Sequence, residues 1–205
     1  MYSRKTGLIL AFHGCDKSVV DDVILGKENL RKSENSYDWL GHGFYFWENS
    51  PSRAIEYACS LKENPHRAKQ IIDEPAVLGA VLDLGYCLDL LDYENLKLLK
   101  SAYEIIVETN NKSGNLIPIN KKLGAAKELL LRDLDCAVVE TLHKVREETA
   151  QQPYDSVRGV FWEGDKLYEN AGFREKDHIQ ICVRNPNCIK GFFLPRQINS
   201  SYNRV

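Results

Sequence analysis

Short continuous apolar runs alternate with amphipathic ones along this chain. LILAF (8–12), HGFYFW (42–47), AVLGAVLDLG (76–85), VRGVFW (157–162), HIQICV (178–183) and CIKGFFL (188–194) are rich in β-branched and aromatic residues, which predicts strands. DKSVVDDVILG (16–26) predicts a short helix with Asp16 as N-cap and Gly26 as its stop. In SPSRAIEYACSLKE (50–63), Ser50 stands at N-cap and Pro51 at N1, Ala54, Ile55, Ala58 and Leu61 recur at helical spacing, and Tyr57 rides on the same helix. Two longer helical stretches, YENLKLLKSAYEIIVE (93–108) and AAKELLLRDLDCAVVETLHKVREE (125–148), flank the polar break TNNKSGN. This helical middle, about 90–150, predicts a packed pair inserted between sheet segments. KENLRKSENSYDWLG (27–41) and EGDKLYENAGFREK (163–176) have loop composition. The order is not the regular alternation of a doubly wound sheet, so the class is α+β, in one domain over 1–205.

Composition narrows this picture only a little. The chain has 205 residues, 43% apolar and 27% charged, with a formal net charge of −2, so it carries no basic field to gather phosphate backbone. Six cysteines show no CxxC pair and no zinc-type spacing with histidine, which predicts free thiols in a reducing compartment and no metal. The apolar run Leu8 to Phe12 is too short for a signal-peptide core, and no run approaches a bilayer's thickness. The expectation is a cytoplasmic protein with no membrane partner.

Candidate chemistry gathers at a few positions. The first strand runs into His13-Gly14, which by itself is turn chemistry beside a hydrogen-bonded imidazole. Alternation along HIQICV puts Ile179, Ile181 and Val183 on one face and leaves Gln180 as the polar centre of the other. His42 neighbours the aromatic strand, whereas His66 and His143 sit in polar helical context that predicts solvent exposure.

Taken together, FHG at 12–14, the helix ending at Gly26, GHGFYF at 41–46 and SRAIEYA at 52–58 resemble the NAD-binding core of ADP-ribosyltransferases of the diphtheria-toxin and poly(ADP-ribose) polymerase type. The resemblance covers residues 8–58 closely and the final strands more loosely; the middle about 90–150 has no counterpart. It implies a split β-sheet with an NAD cleft. His13, Tyr45 and Gln180 would be the catalytic triad, a His-Tyr-Gln variant of the family's His-Tyr-Glu. His13, Gly14, Cys15, Gly43, Tyr45, Ser52 and Tyr57 would hold NAD: Gly14 by its main chain on the carboxamide, His13 on the adenosine ribose, and Tyr45 and Tyr57 stacked about the nicotinamide. The family's serine three residues before the second tyrosine is Ala54 here, and the spacing from Tyr45 is one residue longer, so Ser50 or Ser52 is the replacement to look for. Glu163, at the head of the loop before HIQICV, is the alternative carboxylate on the acceptor side.

The implied activity is mono-ADP-ribosyl transfer from NAD to a protein or nucleic-acid acceptor with release of nicotinamide. An amide at 180 can hold a ribose hydroxyl but cannot take its proton, so single units rather than chains are expected. The small size resembles bacterial or phage toxins, with an antitoxin as neutralising partner. An NAD glycohydrolase and an inert NAD or ADP-ribose binding module are the alternatives.

Overall fold

A computed structural model describes residues 7–124, 128–197 and 200–203. Among these, seven strands form one sheet: β1 (Ile9–Asp16), β2 (Phe44–Glu48), β3 (Pro75–Leu82), β4 (Cys87–Asp89), β5 (Ser156–Phe161), β6 (His178–Val183) and β7 (Ile189–Phe193). Their order is β4-β5-β6-β2-β1-β3-β7, antiparallel throughout except for the β4–β5 pair. The helices are α1 (Lys17–Ile24), α2 (Pro51–Glu63), α3 (Tyr93–Ser113) and α4 (Asp133–Glu148). The class is α+β, as the apolar pattern predicts.

Strand alternation assigns the two faces of the sheet. Ala11, Phe46 and Ile181 point to one face and pack with Val20 and Val23 of α1. The other face is shared. Over the β4-β5-β6-β2 half, Leu88, Val157 and Cys182 pack with Ala102 and Ile106 of α3 and Val138, Val139 and Leu142 of α4. Over the β1 side, Phe12 and Trp47 pack with Ala54 and Tyr57 of α2. Asp16 caps α1 as expected, accepting from Ser18 N at 2.9 Å; the Ser18 hydroxyl, at 2.6 Å, and the N–H groups of Asp73 and Glu74 also donate to it, and together they lower its pKa to about 2.

Three expectations need correction. β1 does not stop at His13-Gly14: it runs on to Asp16 along β3, because the ladder to β3 continues after the one to β2 has ended. The second helix of the middle is Asp133–Glu148, shorter than predicted, since Lys121 and Leu131 pair as an isolated bridge and Asn120 Oδ1 takes the N–H groups of Leu134 and Asp135; residues 125–127 of the prediction lie outside the described residues. His143 does not face solvent. It is 3% exposed on the sheet side of α4, edge-on to Tyr154 at 5.9 Å.

That burial has a thermodynamic consequence. Desolvation, assisted by the Arg184 and Arg146 charges, lowers the His143 imidazole from 6.5 to about 4. Between these values the unfolded chain binds a proton that the folded chain refuses. Stability therefore rises with pH through this window and is lost as pH falls through it. His143→Leu should shrink the stability difference between neutral pH and about pH 4 by on the order of 3 kcal/mol, read by urea unfolding at both ends. An acid limb unchanged in the variant would show that His143 is not its source.

Candidate functional site

The ladder between β1 and β2 spans only Ala11↔Glu48 and Phe12↔Trp47. Beyond Phe12, β1 stays with β3 and β2 stays with β6, so the sheet splits at His13. The His13 ring crosses the split: its Nδ1–H donates to the Tyr45 carbonyl at 2.8 Å. A carbonyl only accepts, so the proton is on Nδ1, and burial lowers the ring's pKa, which keeps it neutral. Nε2 is therefore an acceptor. The ring itself lies on the α1 face, edge-on to Phe46 at 6.0 Å.

Gly14 lies on the α2 face. A Cβ there would stand 2.0 Å from the Ala54 carbonyl oxygen, so a glycine is what lets α2 lie directly on the split. Ala54 is fully buried in that contact, and Tyr57 follows it on the same side of the helix.

Tyr45 and Tyr57 are both on this face. The Tyr45 hydroxyl donates to Gly41 O at 2.8 Å and accepts from Leu40 N at 3.0 Å, and burial holds its pKa well above the ordinary value. Its ring is thus locked, and its hydroxyl is fully engaged. Tyr57 leans on Trp47, with centroids 5.0 Å apart and a tilt of 47°. Burial likewise raises the Tyr57 pKa.

Gln180 is on the same face, opposite Trp47 in the β2–β6 ladder. Its Oε1 accepts from Trp39 Nε1 at 2.6 Å. Because an indole N–H can only donate, this bond fixes the amide: the oxygen faces Trp39 and the NH2 faces away. Trp39 fits over the sheet because residue 159 is glycine, where a Cβ would come within 2.8 Å of the indole.

The remaining predicted residues fall elsewhere. The Cys15 side chain points into the core beneath α1, where burial pushes its thiol up to about 12. Gly43 spends its main chain on a two-way bridge with Ser33, and its missing Cβ makes room for Cys182. Ser52 is exposed, and Ser50 caps α2 without a side-chain bond; neither replaces the family's serine at Ala54. His42 is tied to α4 through Glu140, which accepts from its N–H at 2.8 Å.

Glu163 lies in a charged cavity of about 220 Å³ beside Tyr57, also lined by Arg53, Glu56, Arg67 and Lys176. Arg53 forks between Glu56 and Glu163, and Lys176 holds Glu56 at 2.6 Å. His13, Gly14, Tyr45 and Gln180 do not line this cavity. Sequence reasoning misses Trp39 and Arg53, and strand alternation puts His178 on the face of Gln180 without giving it a role. Trp39 sits in a loop with no periodicity, and Arg53 reads as an ordinary helix-surface cation. Among the described residues no group of three or more His, Cys, Asp or Glu is placed to hold a metal ion, and no helix is long and apolar enough to cross a membrane.

The chain is similar to an uncharacterized protein of Methanocaldococcus jannaschii, 27% identical over 198 residues that span 87% of this chain and 83% of the relative. No protein-family model matches the chain. No solved structure matches it either.

The contact at Gly14 is directly testable. Gly14→Ala should drive a methyl into the Ala54 carbonyl and destabilise the fold by about 1–3 kcal/mol, as overpacking does. Urea unfolding would measure it; a variant as stable as the parent would mean that α2 lies further from β1.

Proposed function

We propose that the chain transfers single ADP-ribose units from NAD to a macromolecular acceptor, releasing nicotinamide. One observation carries this reading: the split between β1 and β2, bridged by the His13–Tyr45 hydrogen bond and capped on the other face by α2 at Gly14. The resemblance requires an opening at this place in the sheet, and His-Gly, the aromatic strand and the Tyr57 helix flank it together.

The geometry supports the following roles. On the α1 face, neutral His13 offers Nε2 to a ribose hydroxyl. On the α2 face, the locked Tyr45 ring and the Tyr57 ring offer π faces to a planar heterocycle. The Gln180 NH2, turned from Trp39, can donate to a ribose oxygen but cannot remove a proton, which favours single transfer over chain growth. Trp39 thus belongs to this reading as a positioning residue. The acceptor is a protein or nucleic acid, and a toxin role neutralised by an antitoxin is the biological setting that this activity fits.

Incubating the protein with labelled NAD and cell lysate should release nicotinamide and label a macromolecule with single units. Tyr57→Ala should weaken NAD binding about two- to tenfold, the worth of one stacked ring. Full nicotinamide release without macromolecular label would make the protein a glycohydrolase. A rise in melting temperature with NAD but no nicotinamide release would make it a binding module. Neither binding nor turnover would end the NAD reading.

A further inference from the structure

Among the described residues, four buried side-chain polar atoms have no protein hydrogen-bond partner, and three of them belong to side chains gathered about the Trp47 ring: Trp47 Nε1, Arg53 Nε and His178 Nε2. Leaving such an atom unpaired costs about 1–3 kcal/mol, so three in one place require an explanation. Trp47 and His178 have ring centroids 6.1 Å apart, and the Arg53 guanidinium carbon lies 5.8 Å from the Trp47 ring. Trp47 is 3% exposed and Arg53 9%.

The chemistry of the three atoms is complementary. Trp47 Nε1–H and Arg53 Nε–H are donors. His178 Nδ1 is 2.6 Å from the Lys176 carbonyl, which can only accept, so Nδ1 carries the proton and Nε2 is an acceptor. Two donors and one acceptor suit an oxygen that has lone pairs to receive and one proton to give, which is a hydroxyl. The place is functional by register: His178 and Gln180 are one pleat apart on the same face of β6, and Trp47 is the ladder partner of Gln180. Lys176, Glu163 and Arg53 also line the charged cavity above.

We infer that Trp47, Arg53 and His178 form a socket for one hydroxyl oxygen, water or the acceptor's own, and that His178 is the base the amide at 180 cannot be. The role as base rests on the transferase reading. In the step, the hydroxyl gives its proton to His178 Nε2 as its oxygen bonds to C1′ of the nicotinamide ribose. The C1′–N bond breaks, and its electron pair discharges the pyridinium as neutral nicotinamide leaves. Burial lowers the His178 pKa below 6.5; the Lys176 carbonyl opposes it, the Arg53 charge adds to it, and Glu163 and Asp177 oppose it more weakly, so the ring is neutral and basic at physiological pH. Phe161, stacked on the imidazole at 5.6 Å, carries no charge, and Lys176 turns its ammonium to Glu56.

Two measurements test this on the full chain. A high-resolution crystal structure of the resting protein should show one ordered oxygen within hydrogen-bond distance of all three nitrogens; a dry contact, or a protein group in that position, overturns the socket whatever the activity. Kinetics with NAD in water and in aqueous methanol then test the base. His178→Gln keeps an acceptor of similar reach but no base, and should lower kcat for nicotinamide release roughly a hundredfold. NAD affinity should be unchanged, and the acid limb of the kcat profile, below pH 6.5 in the parent, should vanish. Methyl-ADP-ribose formed in methanol marks a socket open to alcohols, and ADP-ribose alone marks one that holds water only. Retention of rate and acid limb in His178→Gln, or loss of NAD affinity in step with rate, rejects His178 as base. A parent that leaves NAD untouched rejects the transferase reading and the base with it, and the ordered oxygen then decides the socket alone.

Discussion

The contact between Gly14 and the Ala54 carbonyl decides more of this structure than its size suggests. A strand packed that closely under a helix follows the helix, and β1 does so in company with β3, its partner over eight residues. β2 is held by β6 on its other side over four residue pairs. The ladder between β1 and β2 therefore cannot run far, and it ends after two residue pairs. Main-chain groups on the parted edges lose ladder partners there, and the His13 imidazole takes up one of them, the Tyr45 carbonyl. A split that is bridged by one side chain differs from a frayed edge: it has fixed walls, with polar chemistry on one face and aromatic rings on the other.

How much of this was legible in the sequence depends on how local each signal is. Strand patterns, the Asp16 cap and the Pro51 start of α2 are set by neighbouring residues, and they came through. Gly14 could be seen as a position wanting no side chain, although the reason lies forty residues away in Ala54. Gly43 has the same look and a different cause, the close approach of Cys182 and a bridge to Ser33. Cys15 was misplaced because β1 continues past the histidine, and alternation then turns its thiol into the core. His143 failed for a related reason: its neighbours in sequence are polar, but α4 buries the stripe on which it sits. The Arg53 fork depends on Glu163, which is distant in sequence, and no pattern within α2 announces it.

The helical middle has no counterpart in the resemblance, yet the sheet would be incomplete without it. α3 and α4 cover Val157 and Cys182, and with them the buried side of Tyr45. α4 also fastens the loop Ser33–Gly41 at several points. Asp133 accepts from Ser36 Oγ at 2.6 Å, Cys136 Sγ contacts the Asn35 carbonyl at 3.6 Å, and Glu140 joins the His42 N–H to Arg184 at the end of β6. Surface ion pairs contribute little, but hydrogen bonds from one helix to successive turns of a loop restrict it as a unit.

That loop in turn fixes two residues of the candidate site. Leu40 and Gly41 use up the Tyr45 hydroxyl, and Trp39 sets which end of the Gln180 amide faces outward. A chain of restraint thus runs from α4 through the loop to the side chains beside the split. Removing the helices would uncover Leu88, Val157 and Cys182 of the sheet and free the loop that decides the orientation of a glutamine and a tyrosine. The insertion thus acts on the residues beside the split through this loop, while its own Glu128 and Leu130 line the charged cavity beside Tyr57. A reading based on motif residues alone, all of which lie outside 90–150, therefore finds residues that flank the split but not what holds them in place.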